Sequence, residues 1–132
     1  MEEYESQVLE CHKAMEMDIN SEMNVRLLEL RQKLLNEEMN ELNVEIDTLI
    51  NELNETGTTT VESRAKMLKE LADLQYVLSG MVVSLGLPMQ EVFARVHKSN
   101  MSKLVDGKPL KRADGKFLKG PNYQPPYLQD IA

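Results

Sequence analysis

Tryptophan is absent, and only six of the 132 residues are aromatic, four Tyr and two Phe. A core without large rings must be filled by aliphatic side chains. Leu, Val, Ile and nine Met supply them, as in a helical protein, and the Met read as core filler. A single cysteine, Cys11, excludes a disulfide within the chain and points to a reducing compartment. No apolar run approaches the ~20 residues of a membrane-spanning helix. The acidic opening "MEEYESQVLE" lacks the basic-then-apolar pattern of a signal peptide. The expectation is a soluble, cytoplasmic protein with no membrane partner. Glycine and proline are missing from residues 24–55, so nothing interrupts a long helix there.

Positive charge is scarce over most of the chain. Residues 1–96 hold 8 basic and 19 acidic side chains, whereas residues 97–132 hold 7 basic and 3 acidic. An acidic body with a basic end argues against a nucleic-acid binder, whose positive charge should dominate a face. It suits a ligand of both signs, such as a metal-bound polyphosphate.

The apolar spacing predicts an all-α fold. A first helix covers about 2–17, with Tyr4, Val8, Cys11 and Met15 at helical spacing. "DINSEMN" brings turn and cap residues, and a long helix follows over about 24–55. "TGTTT" breaks it. A third helix spans about 61–85, with Leu68, Leu71, Leu74, Leu78, Val82 and Leu85 as its stripe. Gly86 reads as a stop, and Pro88 as the first residue of a fourth helix through about His97. After Ser99 the pattern becomes a tail of turns, "DGKP", "ADGK", "GPN" and "QPP". The resulting organisation is an all-α core over 1–99 and an irregular basic arm over 100–132 of the same domain. So much apolar helix surface predicts self-association, most simply a symmetric dimer.

Carboxylates intrude on the long helix where apolar residues belong. In "LLNEEMNELNVEID" the stripe of Leu34, Leu35, Leu42, Ile46 and Leu49 is bordered by Glu38, with Glu41 and Glu37 fanning out beside it. The third helix repeats the theme in "KELADLQYV", where Glu70 and Asp73 share a sector with Val77 and Met81. If the two helices pair antiparallel across "TGTTT", both acidic groups meet at one level. Five carboxylates in one crevice repel and stay ionised only with cations, for which Mg²⁺ or Mn²⁺ is the hard, oxygen-preferring choice. Each motif alone is most often a solvated helix face. A di-iron bundle needs Glu-x-x-His pairs, and neither His12 nor His97 has a Glu three residues before it. One Cys and two distant His make no zinc ligand set.

"RLLELRQKLLNEEMNEL", "KELADLQYVLSGMVVSLGLPMQEVFARVHKSNMSKL" and "DGKFLKGPNYQPP" resemble the all-α nucleoside triphosphate pyrophosphohydrolase superfamily, in its compact, single-domain MazG-like bacterial and phage branch. "ECHKAME" resembles that branch's first helix, with Cys11 in place of the usual Phe. The resemblance implies a four-helix MazG-like bundle, a dimer or a dimer of dimers, that hydrolyses a nucleoside triphosphate between the α and β phosphates. It implies that Glu37, Glu38 and Glu41, with Glu70 and Asp73, hold two or three Mg²⁺ or Mn²⁺ ions. Glu38, beside the apolar stripe, would orient or deprotonate the attacking water. Lys98, Asn100 and Lys103 match the third motif, for phosphate and sugar contacts. Lys111, Arg112 and Lys116 would close over the pyrophosphate, unless the arm is only solvated. His12 would pack or line the base pocket, and Tyr76, Phe117 and Tyr123 are the stacking candidates. The branch includes dUTP hydrolases and phage relatives that clear dGTP. The alternatives are a phosphoribosyl-ATP-type pyrophosphohydrolase and a non-catalytic helical interaction module.

Overall fold

A computed structural model describes residues 3–132. Its helices are α1 Glu3–Ala14, α2 Val25–Thr56, α3 Val61–Leu85 and α4 Met89–Met101. Strands β1 Leu110–Lys111 and β2 Phe117–Leu118 form a small antiparallel hairpin, Leu110 opposite Leu118 and Lys111 opposite Phe117. The fold is all-α with almost no sheet, as the aliphatic periodicity implies. The hairpin lies in the segment read as turns, where strands this short leave no alternation to detect. Among the described residues, no single helix is long and apolar enough to cross a membrane.

Local chemistry sets the helix ends. Asn24 caps α2, its side-chain oxygen accepting from the Leu27 amide at 2.9 Å. Thr60 caps α3 in the same way, accepting from the Ser63 amide at 3.1 Å. Glu52 of α2 accepts from the Thr60 amide at 2.8 Å, which ties the "TGTTT" turn to the helix it follows. Gly57 and Gly86 close α2 and α3 in the left-handed region, at φ 77° and 61°. A side chain at Gly86 would also meet Asn20 Oδ1 at 2.6 Å, so conformation and space both require glycine there. α1 stops at Ala14 rather than near 17, because the chain turns at Glu16 with φ 55°.

The chain divides into two compact units, Met1–Leu87 and Pro88–Ala132. In this division α4 groups with the C-terminal arm. The reason is hydrogen bonding. Ser99 Oγ of α4 donates to the Gln124 carbonyl at 2.7 Å, and the Gln124 amide donates to Ser102 Oγ at 3.0 Å. Arg95 donates to the Tyr127 carbonyl at 3.0 Å and pairs with Asp130 at 2.6 Å and Glu91 at 2.8 Å. The arm is therefore fastened to its own helix.

In the first unit α3 is the shared element, packing on both α1 and α2. Among the described residues, its buried apolar side chains are Val8, Leu27, Leu42, Val82 and Val83. At about 1.5–3 kcal/mol for each buried side chain, that is a thin core for three helices. The leucine stripe of α3 is not where α2 packs. Leu68, Leu71 and Leu78 are exposed, as is Ile46 of the α2 stripe. The α2–α3 seam instead runs through Arg31, Val77 and Gly80, the sector that also carries Glu70 and Asp73. Small and polar residues let the two backbones approach, and Leu68, Leu71 and Leu78 face outward.

Candidate active site

The seam brings four carboxylates together. Glu38 and Glu41 of α2 and Glu70 and Asp73 of α3 each present an oxygen, and the four oxygens lie within 4.8 Å of one another. Glu41 is exposed, while Glu38, Glu70 and Asp73 are half-buried. Helical spacing explains the convergence. Residues three apart lie on one face, so Glu38 and Glu41 meet Glu70 and Asp73 as two acidic pairs on antiparallel helices. Glu37 is exposed and lies outside this group, on a neighbouring face of α2. Of the five acids expected to hold metal, Glu37 is the one that does not join this group.

Two oxygens of the group, Glu38 Oε2 and Glu70 Oε2, are closed off from solvent and have no hydrogen-bond partner. A desolvated carboxylate oxygen without a donor is costly. Burial, with the neighbouring Glu41 carboxyl, raises the pKa of Glu70 above its usual value. The only cation in direct contact among the described residues is Lys69. Its ammonium is 2.5 Å from Asp73 Oδ2 and 3.8 Å from Glu70 Oε1. Asp73, then Glu70 and Glu38, hold the Lys69 pKa above its ordinary value. An all-carboxylate donor set with orphaned oxygens fits a hard divalent ion such as Mg²⁺ or Mn²⁺.

A family model described as phosphoribosyl-ATP pyrophosphohydrolase matches residues 8–100. That span takes in the second half of α1, all of α2 and α3 and nearly all of α4, with both acidic pairs inside it. The chain belongs to the phosphoribosyl-ATP pyrophosphohydrolase family. This family falls within the MazG-like all-α nucleoside triphosphate pyrophosphohydrolase superfamily that the motifs resemble. No curated protein matches the chain. Membership supports a pyrophosphohydrolase activity in general; the family is metal-dependent in general, and a cluster of acidic residues lies in the seam.

The other site candidates fall in different places. His12 is 1% exposed, and its Nδ1 lies 2.9 Å from the Asp18 carbonyl, so in this structure it is a packing residue with no open face toward a base. Tyr76 is partly exposed and lines a groove of about 550 Å³ between α1 and α3. A contact with the Cys11 thiol, and burial, raise its pKa. In the C-terminal unit Lys98 lines a pocket of about 320 Å³ with Arg95, Ser99 and Gln124. Asn100 is exposed, and the Lys103 carbonyl accepts from the Gly120 amide at 3.0 Å. Lys111 and Lys116 are exposed on the hairpin, Lys111 lying 4.9 Å from the centre of the Phe117 ring. Arg112 is already paired with Asp114 at 2.6 Å.

Sequence reasoning passed over three residues of the first unit. Arg31 is 3% exposed, donates to the Val77 carbonyl at 3.1 Å and leaves its Nε without a partner. Burial lowers its pKa, and Asp18 offsets part of that. The signal was present. Arg31 precedes Glu38 by seven residues, two turns along the same face. Lys69 carried a signal too, standing four residues before Asp73 on one helix, whereas Gly80, beneath the Arg31 guanidinium, carried none.

Proposed function

We propose that the protein is a metal-dependent (d)NTP pyrophosphohydrolase that cleaves between the α and β phosphates to release (d)NMP and pyrophosphate, with dUTP or (d)GTP as candidate substrates. The observation that carries this reading is the carboxylate group of Glu38, Glu41, Glu70 and Asp73 with two oxygens buried and unpartnered. These four would hold the Mg²⁺ or Mn²⁺ ions, two or three in number. A bound ion of this kind neutralises the triphosphate and lowers the pKa of a coordinated water. Glu38, half-buried at the seam, orients or deprotonates the attacking water. Glu37, the neighbouring acid of the first motif, is proposed as a further metal ligand. Lys98, Asn100, Lys103, Lys111, Arg112 and Lys116 are assigned to phosphate and sugar oxygens, supported by the charge-assisted bonds that Lys and Arg give phosphate. Tyr76 is assigned to stacking on the base.

The family description favours phosphoribosyl-ATP as a second substrate reading. The motifs "VHKSNMSK" and "ADGKFLKGPNYQPP" favour the compact (d)NTP branch. Pyrophosphate release measured over the eight NTPs and dNTPs and phosphoribosyl-ATP, with Mg²⁺ and Mn²⁺, separates them. Release of orthophosphate in place of pyrophosphate would overturn the reaction itself. Mn²⁺ with a non-hydrolysable nucleotide at a hundredfold excess over its dissociation constant should stabilise the fold by about 2.7 kcal/mol. A thermal melt unmoved by both together would speak for a non-catalytic helical module.

Self-association follows from the thin core. The groove lined by Tyr4, Val8, Leu68, Leu71, Leu74 and Leu78 is an apolar face that three helices leave open, and a second copy of the chain is the proposed cover. Sedimentation should give a dimer or a dimer of dimers, and Leu71→Lys should shift it toward monomer. A wild-type chain that sediments as a monomer at micromolar concentration would remove this proposal.

A further inference from the structure

The cluster is not left wholly to an incoming ion, because the chain already places a cation in it. Lys69 Nζ sits 2.5 Å from Asp73 Oδ2 and 3.8 Å from Glu70 Oε1. These are two of the four carboxylates whose oxygens converge. Yet the ammonium leaves Glu38 Oε2 and Glu70 Oε2 unpartnered. It is also 67% exposed, on a flexible four-carbon stem that can turn into water. A single charge thus screens the repulsion among these acids without satisfying them. A divalent ion in the cluster would stand within a few ångströms of the ammonium, where like charges repel.

We infer that Lys69 is a resident counter-ion of the carboxylate cluster, which a divalent cation must displace from Asp73 before the cluster can bind it. This inference rests on the metal-dependent reading above. Lys69 is then a positioning residue that sets how the site is loaded. Bare metal is held weakly, because binding it means breaking the Lys69–Asp73 pair and placing a positive charge beside the ion. A metal that arrives on a polyphosphate brings negative charge with it, which offsets the repulsion. Loading is therefore biased toward the metal–nucleotide complex over the free ion. The (i, i+4) geometry of Lys69 and Asp73 on α3 makes the pair intrinsic to the helix, so it persists whatever covers the groove.

The test is Mn²⁺ binding to the full chain without nucleotide, read from the electron paramagnetic resonance of the free ion. Lys69→Met keeps the stem and removes the charge, and should tighten Mn²⁺ binding about five- to tenfold. Lys69→Arg keeps the charge and should bind as the wild type does. A non-hydrolysable nucleotide should tighten Mn²⁺ binding by a smaller factor in Lys69→Met than in the wild type, since part of the barrier it relieves is already gone. Asp73→Asn, measured alongside, separates the two levels of the argument. If Asp73→Asn weakens Mn²⁺ binding while Lys69→Met matches the wild type or binds more weakly, the counter-ion role is overturned and the metal site stands. If neither the wild type nor any variant binds Mn²⁺, the metal site and the counter-ion role fall together. Circular dichroism on each variant confirms that the helices are intact.

Discussion

Glu38→Gln is expected to lower the rate of pyrophosphate release by about a thousandfold, within the range found for removing a positioned general base or a ligand that activates water. Glu38 is the member of the carboxylate group with an oxygen both closed to solvent and unpartnered on α2. The amide is nearly isosteric, so the seam should still pack. What changes is charge and basicity. The neutral side chain neither takes a proton from water nor holds a divalent ion as a carboxylate does. The melting temperature without metal should stay level or rise, since one buried charge among like charges has gone. The stabilisation by Mn²⁺ with nucleotide should shrink. Steady-state assays and thermal melts on one preparation check both halves. Turnover within a few-fold of wild type would mean that Glu38 neither binds the metal nor activates the water.

Gly80→Ala is expected to destabilise the fold by about 1–3 kcal/mol, the usual cost of overpacking a closed interior. That runs against the gain of ~1 kcal/mol that alanine normally brings to a helix interior. A Cβ at Gly80 would stand 2.1 Å from Arg31 Nη2 and 3.1 Å from Arg31 Cζ, with His12 Nε2 at 3.5 Å behind them. Elsewhere a long side chain would swing aside. Arg31 is 3% exposed and His12 1%, so the guanidinium has no open direction, and moving it breaks its bond to the Val77 carbonyl. Arg31→Met on its own should be neutral or mildly stabilising, because a buried guanidinium with an orphaned Nε is expensive to hold. The double variant should recover most of what Gly80→Ala loses, since the two positions touch and their effects are not additive. Urea unfolding of the four proteins completes the cycle. Gly80→Ala should also weaken Mn²⁺ binding. Arg31 lies two turns from Glu38, and Gly80 lies two turns from Asp73, so spreading the seam separates the carboxylates. A Gly80→Ala protein as stable as the wild type would show that the seam yields at this point.

Much of the site was legible because helices translate spacing into direction. Glu38 with Glu41, and Glu70 with Asp73, are each three residues apart, and "TGTTT" between their helices forces an antiparallel pair. Those two facts put each acidic pair on one helix face and let the two pairs meet if the helices pack antiparallel; the packing of α2 on α3 brings them to one level. Glu37 was less legible, since one residue along a helix is about 100° of rotation, and a cluster read by sequence proximity sweeps in a neighbour that faces elsewhere. The leucine stripe of α3 misled for a related reason. Periodicity identifies an apolar face but not its occupant. Leu68, Leu71 and Leu78 stand exposed beside the groove, while the polar sector with Arg31 and Gly80 forms the joint to α2.

The sequence by itself determined the all-α class, the bounds of α2 and α3 within a residue or so, and the acidic pairs that face one another. These follow from local rules, since caps, breakers and helical spacing act over a few residues. Only the tertiary structure decided that α4 belongs with the arm and that His12 and Arg31 are sealed into the first unit. Such outcomes depend on which side chains from distant segments compete for the same space and the same hydrogen bonds. No periodicity records that competition.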